Sequence, residues 1–374
     1  MSTVSDIVAA VDRLAPVRLA EPWDNVGLLM GDAGREARRI LVSLDVSERV
    51  CEEAERVAAD VLLAHHPLIM KGVQRLTNET RAGRLALRLL AKGRAVIAAH
   101  TNLDSAEGGL NDILAGLVGL EDLEPLQTAP APAVYKVVVF VPEETRLAGP
   151  GQALEAVRAA AFAAGAGQVG KYAECGFSTA GTGTFLPGEG AEPSIGAVGR
   201  RSAAAEHRFE VLVGERRLGA VLAAITRAHP YEEPAMDVYP LRAPPPGVGL
   251  GRIGRFREAR HLSVFADAVR DVLGIGSIHY AGPPDRAIER VAVCTGGGGG
   301  LGDAVAAAAC DAYLTGEMGY HQVEDLVARG VAVILGGHYK TERVPLEAWT
   351  PRLAHETDVE VLVSESEEES LQLR

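Results

Sequence analysis

Aromatic side chains make up only 5% of this 374-residue chain, and cysteine occurs four times. So few aromatics beside abundant alanine, glycine and valine disfavour an aromatic-rich β-sandwich and favour layered α/β packing. Cys51, Cys175, Cys294 and Cys310 have no CxxC spacing. Cys51, Cys294 and Cys310 lie in apolar contexts and read as reduced core residues of a cytosolic protein. No run approaches the roughly 20 apolar residues of a membrane span. Residues 1–20 mix Asp6, Asp12 and Arg13 with apolar residues at helical spacing, unlike a signal peptide. A soluble, cytoplasmic protein is expected. Basic patches are also missing, and a formal net charge of −13 disfavours nucleic acid as a partner, because neutralising phosphates needs clustered Lys and Arg. Part of that excess, Glu365 and Glu367 to Glu369, reads as a solvated acidic terminus.

What is present is enough apolar residue (47%) and length for two domains. Strand-like and helix-like patterns alternate from Arg39 to Leu117 and again from Arg290 to Val363, as in a parallel α/β fold. The spacing predicts helices over 48–59, 81–91, 109–117, 301–309, 320–329 and 341–349. Two proline-rich seams, at 128–132 and 243–247, read as stiff linkers that bracket an insert. The insert reads βαββαβ, the ferredoxin-like order. The expected domains are therefore a first core half (1–128), the insert (129–246) and a second core half (247–374), with the strand, ligand, helix order repeated in both halves.

Three apolar runs end in metal-ligand side chains: 61–64 before His65 and His66, 95–99 before His100 and Asp104, and 331–335 before His338 and Glu342. In open α/β sheets, ligands gather beyond the carboxyl ends of strands. Adjacent histidines leaving a strand are expected to diverge, so His65 and His66 suit two ions better than one. His338 and Glu342, four apart, share a helix face. Asp104 offers a hard oxygen able to bridge. Any one of these residues alone reads as a cap or a surface histidine. Together, His65, His66, Asp104, His338 and Glu342 outline a site for two divalent ions, with Zn, Fe, Mn and Ni all compatible. His100 reads as a further ligand, an orienting residue, a general acid/base or a satisfied buried histidine.

The loop from Gly296 to Gly300 reads equally as a tight turn or as an oxyanion cradle, and it lacks the Lys-Ser/Thr ending of a P-loop. Glu317 and His321 line the same mouth or cap the following helix. In the insert, the run from His229 to Pro234 reads as a shaped turn.

At these residues the chain resembles the NIF-three-like family of GTP cyclohydrolase 1 type 2 homologues, in its long bacterial form. The resemblance rests on Pro22 to Leu28, Ala64 to Leu68, His100 to Asp104, Thr315 to Glu317 with His321, and Gly337 to Glu342. It implies a discontinuous α/β core of two related halves and a toroidal homohexamer with a dinuclear centre in each subunit, Asp104 and Glu342 bridging. Glu317 stands where that family usually has aspartate. The insert resembles a PII-like domain at Tyr172, Cys175 to Ser178, Gly181 to Phe185 and His229 to Pro234. The expected function is metal-dependent hydrolysis of a small molecule, of GTP cyclohydrolase or phosphoesterase type, with His100 moving a proton. A metal-binding regulatory or assembly protein, sensing through the insert, is the rival.

Overall fold

A computed structural model describes residues 2–130, 133–145, 149–241 and 247–371. The chain forms two compact units, Met1–Ala129 with Pro246–Arg374, and Pro130–Pro245. The proline seams fall largely on 131–132 and 242–246, outside the described residues.

In the first unit the chain runs α1 (Val4–Leu14), β1 (Gly27–Met30), β2 (Arg39–Ser43), α2 (Glu48–Arg56), β3 (Val61–Ala64), α3 (Arg81–Ala91), β4 (Ala95–Ala98), α4 (Thr101–Ser105), α5 (Leu110–Leu117) and β5 (Glu121–Thr128). The second unit holds β6 (Val134–Pro142), α6 (Gln152–Ala163), β7 (Gly176–Phe185), β8 (Ser202–Gly214), α7 (Glu215–Ala228) and β9 (Met236–Leu241). The first unit resumes with β10 (Gly249–His261), α8 (Leu262–Leu273), β11 (His279–Ala281), β12 (Ala287–Gly297), α9 (Gly302–Ala307), β13 (Ala312–Glu317), α10 (Tyr320–Ala328), β14 (Ala332–Leu335), α11 (His338–Glu356) and β15 (Glu360–Val363).

Two sheets build the first unit, ordered β1-β4-β3-β2-β15 and β11-β14-β13-β12-β10-β5. Each holds a strand from the other side of the second unit in sequence: β15 pairs in parallel with β2, and β5 pairs antiparallel with β10. The central strands are buried on both faces, as period-2 alternation requires for a sheet covered twice. Ile40, Val42, Leu63 and Ile97 pack with α1 and α11, while Leu41, Leu62 and Val96 pack with α2 and α3. Trp349 of α11 is wholly buried, an anchor whose truncation typically costs about 3–5 kcal/mol.

Three local features depart from the sequence pattern for physical reasons. Helix α11 begins at His338, not Thr341, and continues through Pro345 and Pro351 to Glu356. Burial of Leu346, Trp349 and Leu353 outweighs the helix-breaking tendency of proline there. Strand β10 escapes a periodicity search because its sequence, GLGRIGRFREARH, is rich in arginine and glycine. Its Arg252 is nonetheless buried, paired with Asp112 and donating to the carbonyl of Ala106 (2.8 Å). The remaining difference is in α9, which spans six residues and is preceded by a short 3-10 turn.

In the second unit the four strands are ordered β7-β8-β6-β9, all antiparallel, and the elements follow in βαββαβ order. Helices α6 and α7 pack on the face carrying Val137, Val139, Val141, Phe209, Val211 and Val213. No helix among the described residues is long and apolar enough to cross a membrane.

The segment after β15 is fastened by Glu53 of α2, buried at 4% exposure, which accepts hydrogen bonds from the Ser364 hydroxyl and from the Glu365 and Ser366 backbone N–H groups. Burial opposes ionisation of this carboxyl, but the three donors outweigh it and hold its pKa below the usual range. A depressed carboxylate adds stability above its unfolded value of about 4.3, and that stability is lost as pH falls through the lower folded value. Glu53→Gln is expected to lower stability by about 1–3 kcal/mol at pH 7, with the gap closing as the pH falls below 4. Urea unfolding of both proteins across that range checks it, and a gap that is constant with pH would refute the assignment.

Candidate metal centre

The site forms where the strand ends of both sheets meet the first turn of α11. His65 and His66 directly follow β3, and their backbone N–H groups donate to the carbonyls of Ser43 and Leu44 (3.0 and 2.8 Å). The expected divergence of the two side chains does not occur. Their ring centroids stand 5.1 Å apart, because both residues lie past the last regular strand position, where pleat alternation no longer sets direction. His100 precedes α4, its ring 5.1 Å from that of His65 and 5.6 Å from that of His66. His338 opens α11, and Glu342 follows one turn later on the same face.

Glu342 is the hub, 4% exposed. Its Oε1 lies 3.2 Å from His338 Nε2 and 3.7 Å from His65 Nε2, and its Oε2 lies 3.0 Å from His66 Nε2. Asp104, also buried, places Oδ1 3.8 Å from His65 Nε2 and accepts from the Thr295 hydroxyl (3.1 Å). Asn111 ties this corner together, donating to the Asp104 carbonyl (3.0 Å) and accepting from the Thr295 N–H (2.8 Å).

All four imidazoles share one arrangement. Nδ1 of His65 meets the Ala99 carbonyl (2.8 Å), that of His66 meets Asp45 (3.2 Å), that of His100 meets Asp24 (2.9 Å) and that of His338 meets Glu317 (3.0 Å). A carbonyl or carboxylate oxygen can only accept, so Nδ1 carries the proton and Nε2 is left as the free ligand atom. Two groups of potential ligand atoms, each within 4.8 Å of one another, follow: His65, His66 and His100, and His66, His338 and Glu342. Buried His65 Nε2 has no hydrogen-bond partner, the position expected of an atom that takes a cation.

The charge balance agrees. Burial opposes protonation of His66, but Asp45 and Glu342 overcome it and push its pKa up to about 10. The hydrogen bond to Glu342 lifts His338 to about 9 against burial. Burial also opposes ionisation of Glu342, yet His338, His65 and His66 hold it well below the usual carboxylate range, whereas burial raises Asp104. The metal-free pocket thus draws protons onto its imidazoles, the charge a divalent ion would replace.

The glycine loop makes room for the hub. A Cβ on Gly296, at φ +60°, would lie 2.0 Å from Glu342 Oε1, and one on Gly316 would lie 2.4 Å from the Gly296 carbonyl oxygen. Within the glycine loop, the N–H groups of Gly296 and Gly298 already donate to the Thr341 hydroxyl and the Glu317 carbonyl, and Thr295 just before it donates to Asn111. Glu317 does reach the site, as the partner of His338. His321 does not; its side chain is 93% exposed and meets Glu324. Sequence reasoning missed Asp24 and Asp45 as orienting residues. Asp45 stands just beyond β2 at the level of the other strand ends, a signal that pointed to it.

The chain is an α/β protein whose clustered His and carboxylate side chains could hold a metal ion. The family model for DUF34/NIF3 (NGG1p interacting factor 3) matches residues 2–370, and the chain belongs to that family. It is 41% identical over 343 residues to the "GTP cyclohydrolase 1 type 2 homolog" of Mycobacterium tuberculosis, covering 91% of this chain and 88% of the relative. The Bacillus subtilis protein of the same name is 36% identical over 347 residues, covering 93% and 91%. Among solved structures, a Bacillus cereus protein related to NIF3 superposes with TM-score 0.77 at 33% identity, covering 100% of this chain and 99% of that one.

Removing the hub charge tests the geometry without any metal. In metal-free Glu342→Gln, His338 and His66 are expected to titrate closer to an unperturbed imidazole, near 6.5, than in the parent protein. Heteronuclear NMR titration of the histidines reads this directly; unchanged values would remove Glu342 from the centre of the cluster.

Proposed function

We propose that this protein is a dinuclear metal-dependent hydrolase, its ions held by His65, His66, Asp104, His338 and Glu342, with His100 as a further ligand. The carrying observation is the shared posture of the four imidazoles, each fixed through Nδ1 by an oxygen outside the cluster, with Nε2 left for the centre. Divalent ions there, of Zn, Fe, Mn or Ni type, would supply a nucleophilic hydroxide near neutral pH and a Lewis acid. The chain's own part is to fix the ligands: Asp24, Asp45 and Glu317 set ring orientation, and Thr295 holds the Asp104 carboxylate. His100, tied to Asp24 and grouped with His65 and His66, suits ligation better than the free proton shuttle expected of it.

The substrate we propose is a planar, ring-bearing molecule of the purine nucleotide class, as the relatives' name suggests, with phosphoesters as the nearest competitor. Trp23 supports this. It is 61% exposed and stands edge-on to His100 with ring centroids 6.0 Å apart, offering a base a face to stack on. A toroidal hexamer, with the second unit as a PII-like regulatory element, completes the reading.

Purified without chelator and reconstituted, the protein is expected to hold two ions per chain. Asp104→Ala and His100→Ala should both lose metal, by about 10-fold or more in affinity. Zinc binding near pH 7 should release protons, and affinity should rise toward pH 9–10 as His338 and His66 surrender theirs. Elemental analysis and calorimetry in buffers of different ionisation heat measure these, while hydrolysis of GTP against a phosphoester panel tests the reaction. A ratio at or below one, or a fully loaded protein inert on every substrate, would overturn the dinuclear or the catalytic half respectively.

Trp23 and Trp349 are the two tryptophans, and Trp349 is fully buried. Nucleotide binding to the zinc form should therefore quench the solvent-exposed emission, and Trp23→Phe should retain binding that Trp23→Ala loses. Emission unmoved by saturating GTP would exclude stacking on Trp23.

A further inference from the structure

The second unit carries a cavity of about 450 Å³ that plays no part in the centre described above. It opens on the sheet face turned away from α6 and α7. Val139 and Val141 face the helices, so Phe140 between them lies on the opposite side, and the pairings Gly183 with Ala204 and Phe185 with Ser202 put those residues there too. The wall is largely apolar, with Phe140, Phe185 and Tyr231 supplying three rings; those of Phe185 and Tyr231 are tilted toward each other at 6.2 Å.

One side chain is out of keeping with such a wall. Glu206 is only 8% exposed. Its Oε1 accepts from the Tyr231 hydroxyl (3.0 Å), and its Oε2 accepts no hydrogen bond from any described residue. The Oε2 atom fills the space a side chain would take on Gly183, where a Cβ would stand 2.0 Å from it. None of the lining residues is Lys, Arg or His, and Glu232 and Glu233 add further negative charge at the rim. A carboxylate set in such a wall favours a cation beside it, and none of the described residues lining the cavity supplies one. His229 is no substitute: its two ring nitrogens are taken by the Phe140 carbonyl and the Tyr231 N–H.

We propose that this cavity binds a small organic cation, an ammonium or guanidinium group on an apolar or aromatic body, with Glu206 pairing the charge and Phe185, Tyr231 and Phe140 enclosing the rest. Aromatic rings around a carboxylate are the chemistry that recognises such ligands, through ring faces that attract positive charge. Glycine at 183 is what admits the carboxylate to the wall, and the Tyr231 hydroxyl holds it in place. The site is independent of the metal reading and stands or falls without it.

The full-length protein is titrated by calorimetry and by saturation-transfer NMR with phenethylammonium, phenethyl alcohol and phenylacetate, which share a body and differ in charge. The ammonium is expected to bind at least 10-fold more tightly than the alcohol, and the carboxylate not at all. Glu206→Gln should abolish that preference, and Phe185→Ala should weaken the ammonium while leaving the order of the three intact. If Glu206→Gln fails to fold, Gly183→Ala supplies the same test by displacing Oε2. Equal binding of ammonium and alcohol, preference for the anion, no binding of any of the three, or an unchanged preference in the Glu206 or Gly183 variant would each overturn the assignment.

Discussion

The buried carboxylate of Glu342 is the constraint around which the first unit is arranged. An ion this deep is tolerated only with compensating charge at close range, and His65, His66 and His338 supply it. The compensation does not stop at the imidazoles. Asp45, Glu317 and the Ala99 carbonyl hold their outer nitrogens, so the charge pattern alternates outward from the hub. Gly296 and Gly316 follow from the same demand, for a side chain at either would occupy the hub's own volume or its support.

Bringing those groups together is a problem of topology. His65, His66 and His100 follow strands of one sheet, whereas His338 and Glu342 sit on a helix that leaves the other, so the two sheets have to be fixed against each other. Helix α11 packs Leu346, Trp349 and Leu353 into the core of the first sheet, while Val344 packs against the core of the second. Beneath the site, Arg252 of β10 binds Asp112 of α5 and the carbonyl that ends α4, which steadies the turn carrying Asp104. Such a buried pair is a weak source of net stability but a strong determinant of register.

Much of this was legible in the residues. Continuous aliphatic runs ending in His65, His100 and His338 marked parallel strands with a site at their ends, since burial on both faces erases alternation and leaves an unbroken apolar string. Family membership, foreseen from the same motifs, accords with the matches to relatives. What the sequence concealed were elements whose burial is made by partners and not by composition: β10, with its arginines; β1 and β11, too short to show a period; and the later half of α11, where prolines mimic a stop. Orienting residues such as Asp24 were hidden for a related reason. Asp24 meets His100 and Thr101 across a long loop of sequence, and no local spacing encodes that contact.

The exchange of end strands has a consequence for how the molecule comes into being on the ribosome. β15 completes the first sheet and follows the whole second unit in the chain, whereas β2, which it pairs with, precedes that unit. His65, His66, His100 and Asp104 therefore emerge long before Glu342 does, and wait beside an unfinished sheet edge. The second unit is continuous in sequence and has its own core, so it is able to close during synthesis while its host remains open. In a nascent chain the cluster therefore stays incomplete until α11 is made, and the order of translation decides when its buried carboxylate and its imidazoles can first meet.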